Sequence, residues 1–230
     1  MHIFAAKFYH YEEIYHPYTD GSCQHRCIST DQEGIHSGRL VFNFSRCWSF
    51  PLRAILSKRQ KRCERGGSDL VEPIHQSQGL SVEKNDSWGG TTICGTGYGR
   101  MDSSRNNFIS RVDSLGNPDI IFVFGGTNDA WANSPVGEYQ YSDWTKEDCK
   151  NFRPALACLF DMLQKRYPKA RICSLLNSEL REPINESMRE ICKHYNIQLI
   201  ELHDIDKQNG HPSISGMKSI CDQLLTGLKD

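Results

Sequence analysis

Residues 120–124 read Ile-Ile-Phe-Val-Phe, an apolar run with no polar break, bracketed by Pro118 and Gly125. A run this short and this uniform suits a strand covered on both faces, as the central strands of parallel sheets are. The chain after it keeps one rhythm. Residues 152–167 put Leu156, Leu159, Phe160 and Leu163 on one helical face, and Pro168 stops that helix. Residues 170–176 read as a strand, and 183–195 as a helix with Ile184, Met188, Ile191 and Cys192 at helical spacing. Residues 197–202 then read as a strand and 213–228 as a last helix. Strands alternating with helices predict βαβ units, hence an α/β fold with a parallel sheet and helices on its faces.

The rhythm starts near residue 81. Residues 1–80 are expected as an irregular N-terminal segment and 81–230 as the folded domain. Within the first part, 39–44 (RLVFNF) reads as one strand. The Arg- and Lys-dense run between Arg53 and Arg65 reads as a solvated face or loop. A nucleic-acid surface would want partner aromatics and a basic balance, and the net charge over 230 residues is −1. No stretch reaches the roughly 20 apolar residues that span a bilayer, so no membrane partner is expected. The opening, MHIFAAKFYHYEEIYHPY, is aromatic and charged and makes a poor signal peptide. A cytoplasmic protein is the default expectation, and a secreted or periplasmic parent with an altered start is the alternative. The ten cysteines do not form close CxxC pairs. Cys23 and Cys27, with His25 between them, come nearest to a metal cluster, but no second cluster follows at zinc-finger spacing. Free thiols in a reducing compartment are the simpler reading.

Three segments carry residues suited to chemistry. The apolar run empties into Gly-Gly-Thr-Asn-Asp, residues 125–129. In doubly wound sheets ligands bind at the carboxyl ends of strands, and an amide donor there, Asn128, can stabilise an oxyanion. The plainer alternative is a βα loop in which Asn128 or Asp129 caps the next helix. The second segment, KNDSWGGTTICGTGY over 84–98, is rich in Gly, Ser and Thr ahead of a helix-like stretch, and Gly90 could offer a backbone N–H. The third, DIDKQNGHPSISGM over 204–217, sets His211 in a loop between the last strand and the last helix. Histidine is the usual general base near neutral pH, though a surface histidine would look the same.

In their order along the chain the segments resemble the blocks of the SGNH (GDSL-type) hydrolases. GGTND looks like their GxND block, SWGGTTIC like their glycine-bearing second block, and GHPSISGM like the block in which His-Pro precedes the final helix. The resemblance spans about residues 84–230, and SPVGEYQYSDW and NFRPALACLF also look like one bacterial branch. It implies a flavodoxin-like three-layer α/β/α sandwich and hydrolysis of a small acyl ester, with a carbohydrate acetyl ester among the family's habits. It implies no metal or organic cofactor. By block, Gly90 and Asn128 would hold the oxyanion together with the N–H of the nucleophilic serine, and His211 would be the base.

Two positions depart from the family pattern. No Gly-Asp-Ser block follows a first strand. The nearest positional candidate is Ser45 at the end of RLVFNFS, with Asn43 and Phe44 where Gly and Asp would stand. Ser22, Ser49 and Ser68 are weaker candidates, and Ser87 belongs to the second block. The acid is irregular as well. Three residues before the histidine stands Gln208, which can orient an imidazole but not offset its charge. Asp206 and Asp204 are the nearby substitutes, and a Ser–His dyad assisted by a backbone carbonyl is the other arrangement. Two readings therefore stand: a working acyl hydrolase, or an inactive protein of this fold that lacks its nucleophile, as a degraded gene product or a binding module. A nucleotide binder would want a phosphate-cradling glycine loop after the first strand, and NFSRCW is not one.

The excess of Arg, Cys and His before residue 80, the weak periodicity there and the missing block are together explained by a frame-shifted or misassembled N-terminal third. Translating the coding DNA upstream of codon 80 in its other frames should then reveal a Gly-Asp-Ser block. If no frame restores one, the frame-shift explanation fails.

Overall fold

A computed structural model describes residues 2–6, 39–44 and 81–229. Its eight strands are β1 (His2–Ala6), β2 (Arg39–Phe44), β3 (Ser81–Ser87), β4 (Ile120–Val123), β5 (Arg171–Leu176), β6 (Gln198–Glu201), β7 (Lys207–Gln208) and β8 (His211–Pro212). Its α-helices are α1 (Thr127–Trp131), α2 (Phe152–Arg166), α3 (Glu182–His194) and α4 (Ile214–Gly227).

The main sheet has six strands in the order β1-β3-β2-β4-β5-β6, with β1 pairing β2 as well. β2, β4, β5 and β6 run parallel, with Asn43 opposite Val123 and Val123 opposite Ser174. β3 is parallel to β2 through the single pair Arg39 and Ser81, and β1 is antiparallel to both. β7 and β8 form a separate two-stranded hairpin. The carboxyl ends of β2 and β4 therefore lie level at one edge of the sheet, and β1 brings His2 to the same edge, opposite Phe44 and Ser87.

The central strand is covered on both faces, as expected. Ile121 and Val123 pack with Phe152, Leu156, Leu159, Phe160 and Leu163 of α2 and with Ile184, Met188 and Ile191 of α3. Ile120, Phe122 and Phe124 face the other way and pack with Met217, Ile220 and Leu224 of α4. β5 divides likewise, Ile172 and Leu176 to the first layer and Cys173 and Leu175 to the second. The result is the three-layer α/β/α sandwich with a parallel sheet. Each fully buried Phe, Ile or Leu contributes on the order of 1.5–3 kcal/mol.

Every helix and strand expected after residue 120 forms, within a residue or two of its expected ends. The stretch that follows the 84–98 segment differs. A helix was expected there, and instead the chain doubles back through 3-10 turns at Tyr98–Arg100 and Ile109–Ser114. Gly95, Gly97 and Gly99 explain this. The Gly97 N–H donates to Met101 O, Ser103 N–H donates to Gly95 O, and Gly99 takes a φ of 63°. Of the expected irregular segment 1–80, the described parts are β1 and β2. The basic run 53–65 and the Cys23, His25, Cys27 group lie outside the described residues.

Gly125 is where the sheet meets the layer above it. A Cβ there would run into Ile93, with Cγ1 at 2.8 Å and Phe108 Cε1 at 3.4 Å. Gly125→Ala should therefore destabilise the protein by about 1–3 kcal/mol, the usual cost of overpacking. Urea denaturation beside the wild type reads this out, and an unchanged midpoint would mean that Ile93 moves aside freely.

Candidate active site

The site is built where β4 ends. Phe124 is the last buried residue of the run, and Gly126 then takes a φ of 89°, a left-handed turn that a side chain would strain. That turn starts α1, so Asn128 and Asp129 lie in its first turn, just past the end of β4.

Asn128 is fully buried, and its amide is fixed at both ends. Nδ2 donates to Thr91 O at 2.8 Å, and Oδ1 accepts from the Tyr98 hydroxyl at 2.9 Å. A carboxamide held this way cannot flip. One Nδ2 hydrogen is used by Thr91, which leaves the other for a ligand. Thr91 directly follows Gly90, so the expected GxND block and glycine-bearing second block do meet. Gly90 is exposed, at a φ of 76°, in the turn after β3, and a Cβ there would meet nothing within 4 Å.

Asp129 clamps the same loop from below. Its two carboxylate oxygens accept from Ile93 N–H at 3.1 and 2.9 Å and from Cys94 N–H at 3.1 Å, in a fully buried setting. Burial pushes its pKa from 3.8 up to about 6, while the donated N–H bonds pull it back. The Cys94 thiol beside it is pushed far up by burial and then by the Asp129 charge, so it is no nucleophile.

Arg111 supports the turn from the opposite side. It is buried, and it donates to the backbone oxygen of Asp86, to Asn107 O at 3.1 Å and to Thr91 Oγ1 at 3.5 Å. Its guanidinium faces the rings of Phe108 at 5.3 Å and Trp88 at 5.4 Å. Burial lowers its pKa to about 10, and the Asp86 carboxylate, 3.4 Å away, opposes that shift. Sequence reasoning missed Arg111 and Tyr98. An arginine in a 3-10 turn carries no local sign of burial, and the partner of Tyr98 lies 30 residues away.

His211 lies on a tight hairpin and not in a loop. Asn209 and Gly210 both have positive φ, 52° and 77°, the two-residue turn that Asn-Gly favours, and that dipeptide was the available signal. His211 is half-buried and pairs across the hairpin with Gln208. Its imidazole meets the Trp131 ring edge-on, with centroids 5.2 Å apart. Desolvation lowers its pKa below 6.5.

The Asp206 carboxylate bonds hydroxyls and not the His211 ring. The hairpin register sets it beside the start of α4, where its carboxylate accepts from the Ser213 hydroxyl and, at 2.7 Å, from Ser215 Oγ. Those two hydroxyls lower its pKa, Ser213 first. Asp204 is exposed and bonds His203 Nδ1 at 2.9 Å. Among the described residues no carboxylate bonds the His211 ring. Ser87 is buried at the end of β3, its hydroxyl without a partner among the described residues. Ser45, Ser22, Ser49 and Ser68 lie outside the described residues. No group of three or more metal-ligating side chains occurs among the described residues, and no helix there is long and apolar enough to cross a membrane.

The family model for GDSL-like lipases and acylhydrolases matches residues 71–228. Among solved structures, the chain is similar to a candidate GDSL-like lipase from Bacteroides ovatus, with 51% identity and a TM-score of 0.69 over 70% of this chain and 78% of that one. A second, from Bacteroides uniformis, shows 49% identity and the same TM-score of 0.69 over 70% and 76%. A protein from Lactobacillus plantarum, 18% identical with a TM-score of 0.57 over 71% and 88%, shares the fold. No curated protein matches.

Ionisation of Asp129 comes more easily in the unfolded chain, because its folded pKa lies above 3.8. Its contribution to stability is therefore full below that value, declines as pH rises through about 6, and is constant above. Asp129→Asn should remove this decline and cost about 1–3 kcal/mol, since the amide sets a donor against an N–H. Urea denaturation across that pH range tests it, and a variant as stable as the wild type with the same pH slope would exclude the clamp.

Proposed function

The chain belongs to the GDSL-like lipase and acylhydrolase family, and from that premise we propose that it hydrolyses a small acyl ester, with a carbohydrate acetyl ester as the substrate class. The observation that carries this reading is the Asn128 amide, fixed between Thr91 O and the Tyr98 hydroxyl one residue from Gly90, with His211 reached through Trp131. An electrostatic site works by having its dipoles in place before charge develops, and this amide is in place.

In the proposed reaction the serine hydroxyl, assigned to Ser45, attacks the ester carbonyl while His211 accepts its proton. The carbonyl oxygen gains negative charge and takes hydrogen bonds from Asn128 Nδ2, the Gly90 N–H and the N–H of the serine. The tetrahedral intermediate collapses, the C–O bond breaks, and the alcohol leaves with the proton from His211. Water then attacks the acyl-serine, His211 takes its proton, and the acid departs with the serine restored. The lowered pKa of His211 keeps the imidazole neutral, and so ready as a base, at neutral pH. Gln208 opposite it supplies no charge, so the imidazolium is supported less than in a full triad.

Hydrolysis of p-nitrophenyl acetate should be lost in His211→Ala and fall about 100- to 1,000-fold in kcat in Asn128→Ala. The acidic limb of kcat/KM should lie below pH 6.5. A fluorophosphonate probe should label one serine, absent from Ser45→Ala. Equal background rates in all three proteins, with no labelling, would leave the inactive-fold reading in its place.

A further inference from the structure

We infer that Trp131 is a positioning residue for His211, one that ties the general base to the loop carrying the oxyanion donor; the inference rests on His211 being that base. The β7–β8 hairpin has two paired residues on each strand and a two-residue turn. So small a hairpin has little stability of its own, and its geometry is set by what holds it from outside.

The base of the hairpin is held well away from the imidazole. Lys207 Nζ donates to Ser178 O at 2.8 Å and to Glu179 Oε2 at 3.0 Å. Asp206 bonds Ser213 and Ser215, and the Ser213 N–H donates to Asp206 O at 2.9 Å. The tip carries His211, and what packs there is Trp131. A Cβ on Gly210 would stand 3.2 Å from Trp131 Cζ2 and 3.6 Å from Cη2, so the six-membered ring lies directly over the turn. The same indole makes the edge contact with the imidazole, at 5.2 Å and 64°. Two successive residues of the tip, 210 and 211, are located by one side chain.

Trp131 is itself 42% exposed, but its backbone is anchored. It ends α1, three residues after Asn128 and two after Asp129, whose side chains are fixed to Thr91, Tyr98, Ile93 and Cys94. The indole thus passes the position of the oxyanion loop on to the base. Base and oxyanion donor must both face one carbonyl within a fraction of an ångström, so a device linking them affects the chemical step more than substrate binding. It also removes water from one side of the imidazole, in keeping with desolvation as the cause of its lowered pKa. The charged groups nearby are engaged elsewhere: Asp129 on α1 with Ile93 and Cys94, Asp206 and Lys207 on the hairpin as above, and the first turn of α4 carries no acid.

The test compares wild type, Trp131→Ala and Trp131→Phe by thermal melting, by NMR titration of the His211 imidazole (identified by its loss in His211→Ala) and by p-nitrophenyl acetate kinetics. In Trp131→Ala the imidazole should titrate at higher pH than in the wild type. Its kcat should fall by up to about 100-fold with little change in KM. Trp131→Phe, which keeps a smaller ring, should shift the same way by less. A folded Trp131→Ala with wild-type titration and wild-type kcat overturns the inference. If the alanine variant does not fold, Trp131→Phe decides by the same two readings. A wild type without hydrolysis would defeat the ester reading alone, because the titration needs no turnover.

Discussion

The carboxylate of Asp129 is buried between the loop that follows β4 and the turn that follows β3, and it joins them by accepting the backbone N–H groups of Ile93 and Cys94. Removing a carboxylate from water costs several kcal/mol, and each charge-assisted N–H bond returns about 1.5–3 kcal/mol. The arrangement persists because the bonds are complete, and much else follows from it. With Ile93 drawn in, the chain above β4 must be glycine at 125. With Asp129 facing the 93–94 segment, Asn128 beside it meets Thr91, and Tyr98 closes over its other end. The Ser134 N–H donates to Asp129 O and its hydroxyl to Thr96 O, so the chain leaving α1 is tied back to the same loop.

The loop before α2 completes the enclosure. Gly95 N–H donates to Cys149 O, Thr96 Oγ1 to Lys150 O, and Phe152 N–H to Pro135 O. The region around the second block thus has almost no regular structure yet is held by buried polar bonds from three directions. That is the kind of scaffold a preorganised amide requires: rigid without being helix or sheet. Arg111 adds the last support through Asp86 and Thr91. The His211 hairpin is different in kind. It stands outside both cores and is carried by polar ties at its base and by one indole at its tip.

Much of the fold was legible because its signals are local. The unbroken apolar run Ile120–Val123, helical spacing at Leu156, Leu159 and Leu163, and the stop at Pro168 depend on neighbours in the chain, and their burial follows directly. The blocks around Gly90, Asn128 and His211 were legible for another reason. They resemble a family whose site uses such residues in this order, and the fold brings Asn128 to Thr91 beside Gly90 and His211 to Trp131. The helix expected beyond the 84–98 segment failed because three glycines and long-range bonds outweighed the local pattern.

By itself the sequence determined the α/β class, the order of elements from β4 onward and the family, because hydrophobic period, turn residues and short motifs are written residue by residue. Only the tertiary structure decided which groups act on which. On paper Gln208 stands at the acid's usual position with Asp206 and Asp204 as substitutes, and a hairpin register sends Asp206 to Ser213 and Ser215 and pairs Gln208 with His211. Tyr98 with Asn128, Arg111 with Asp86 and Trp131 with His211 join residues 25 to 80 positions apart. Such partners are chosen by packing and by the need to satisfy buried polar groups, and neither constraint exists until the chain has folded.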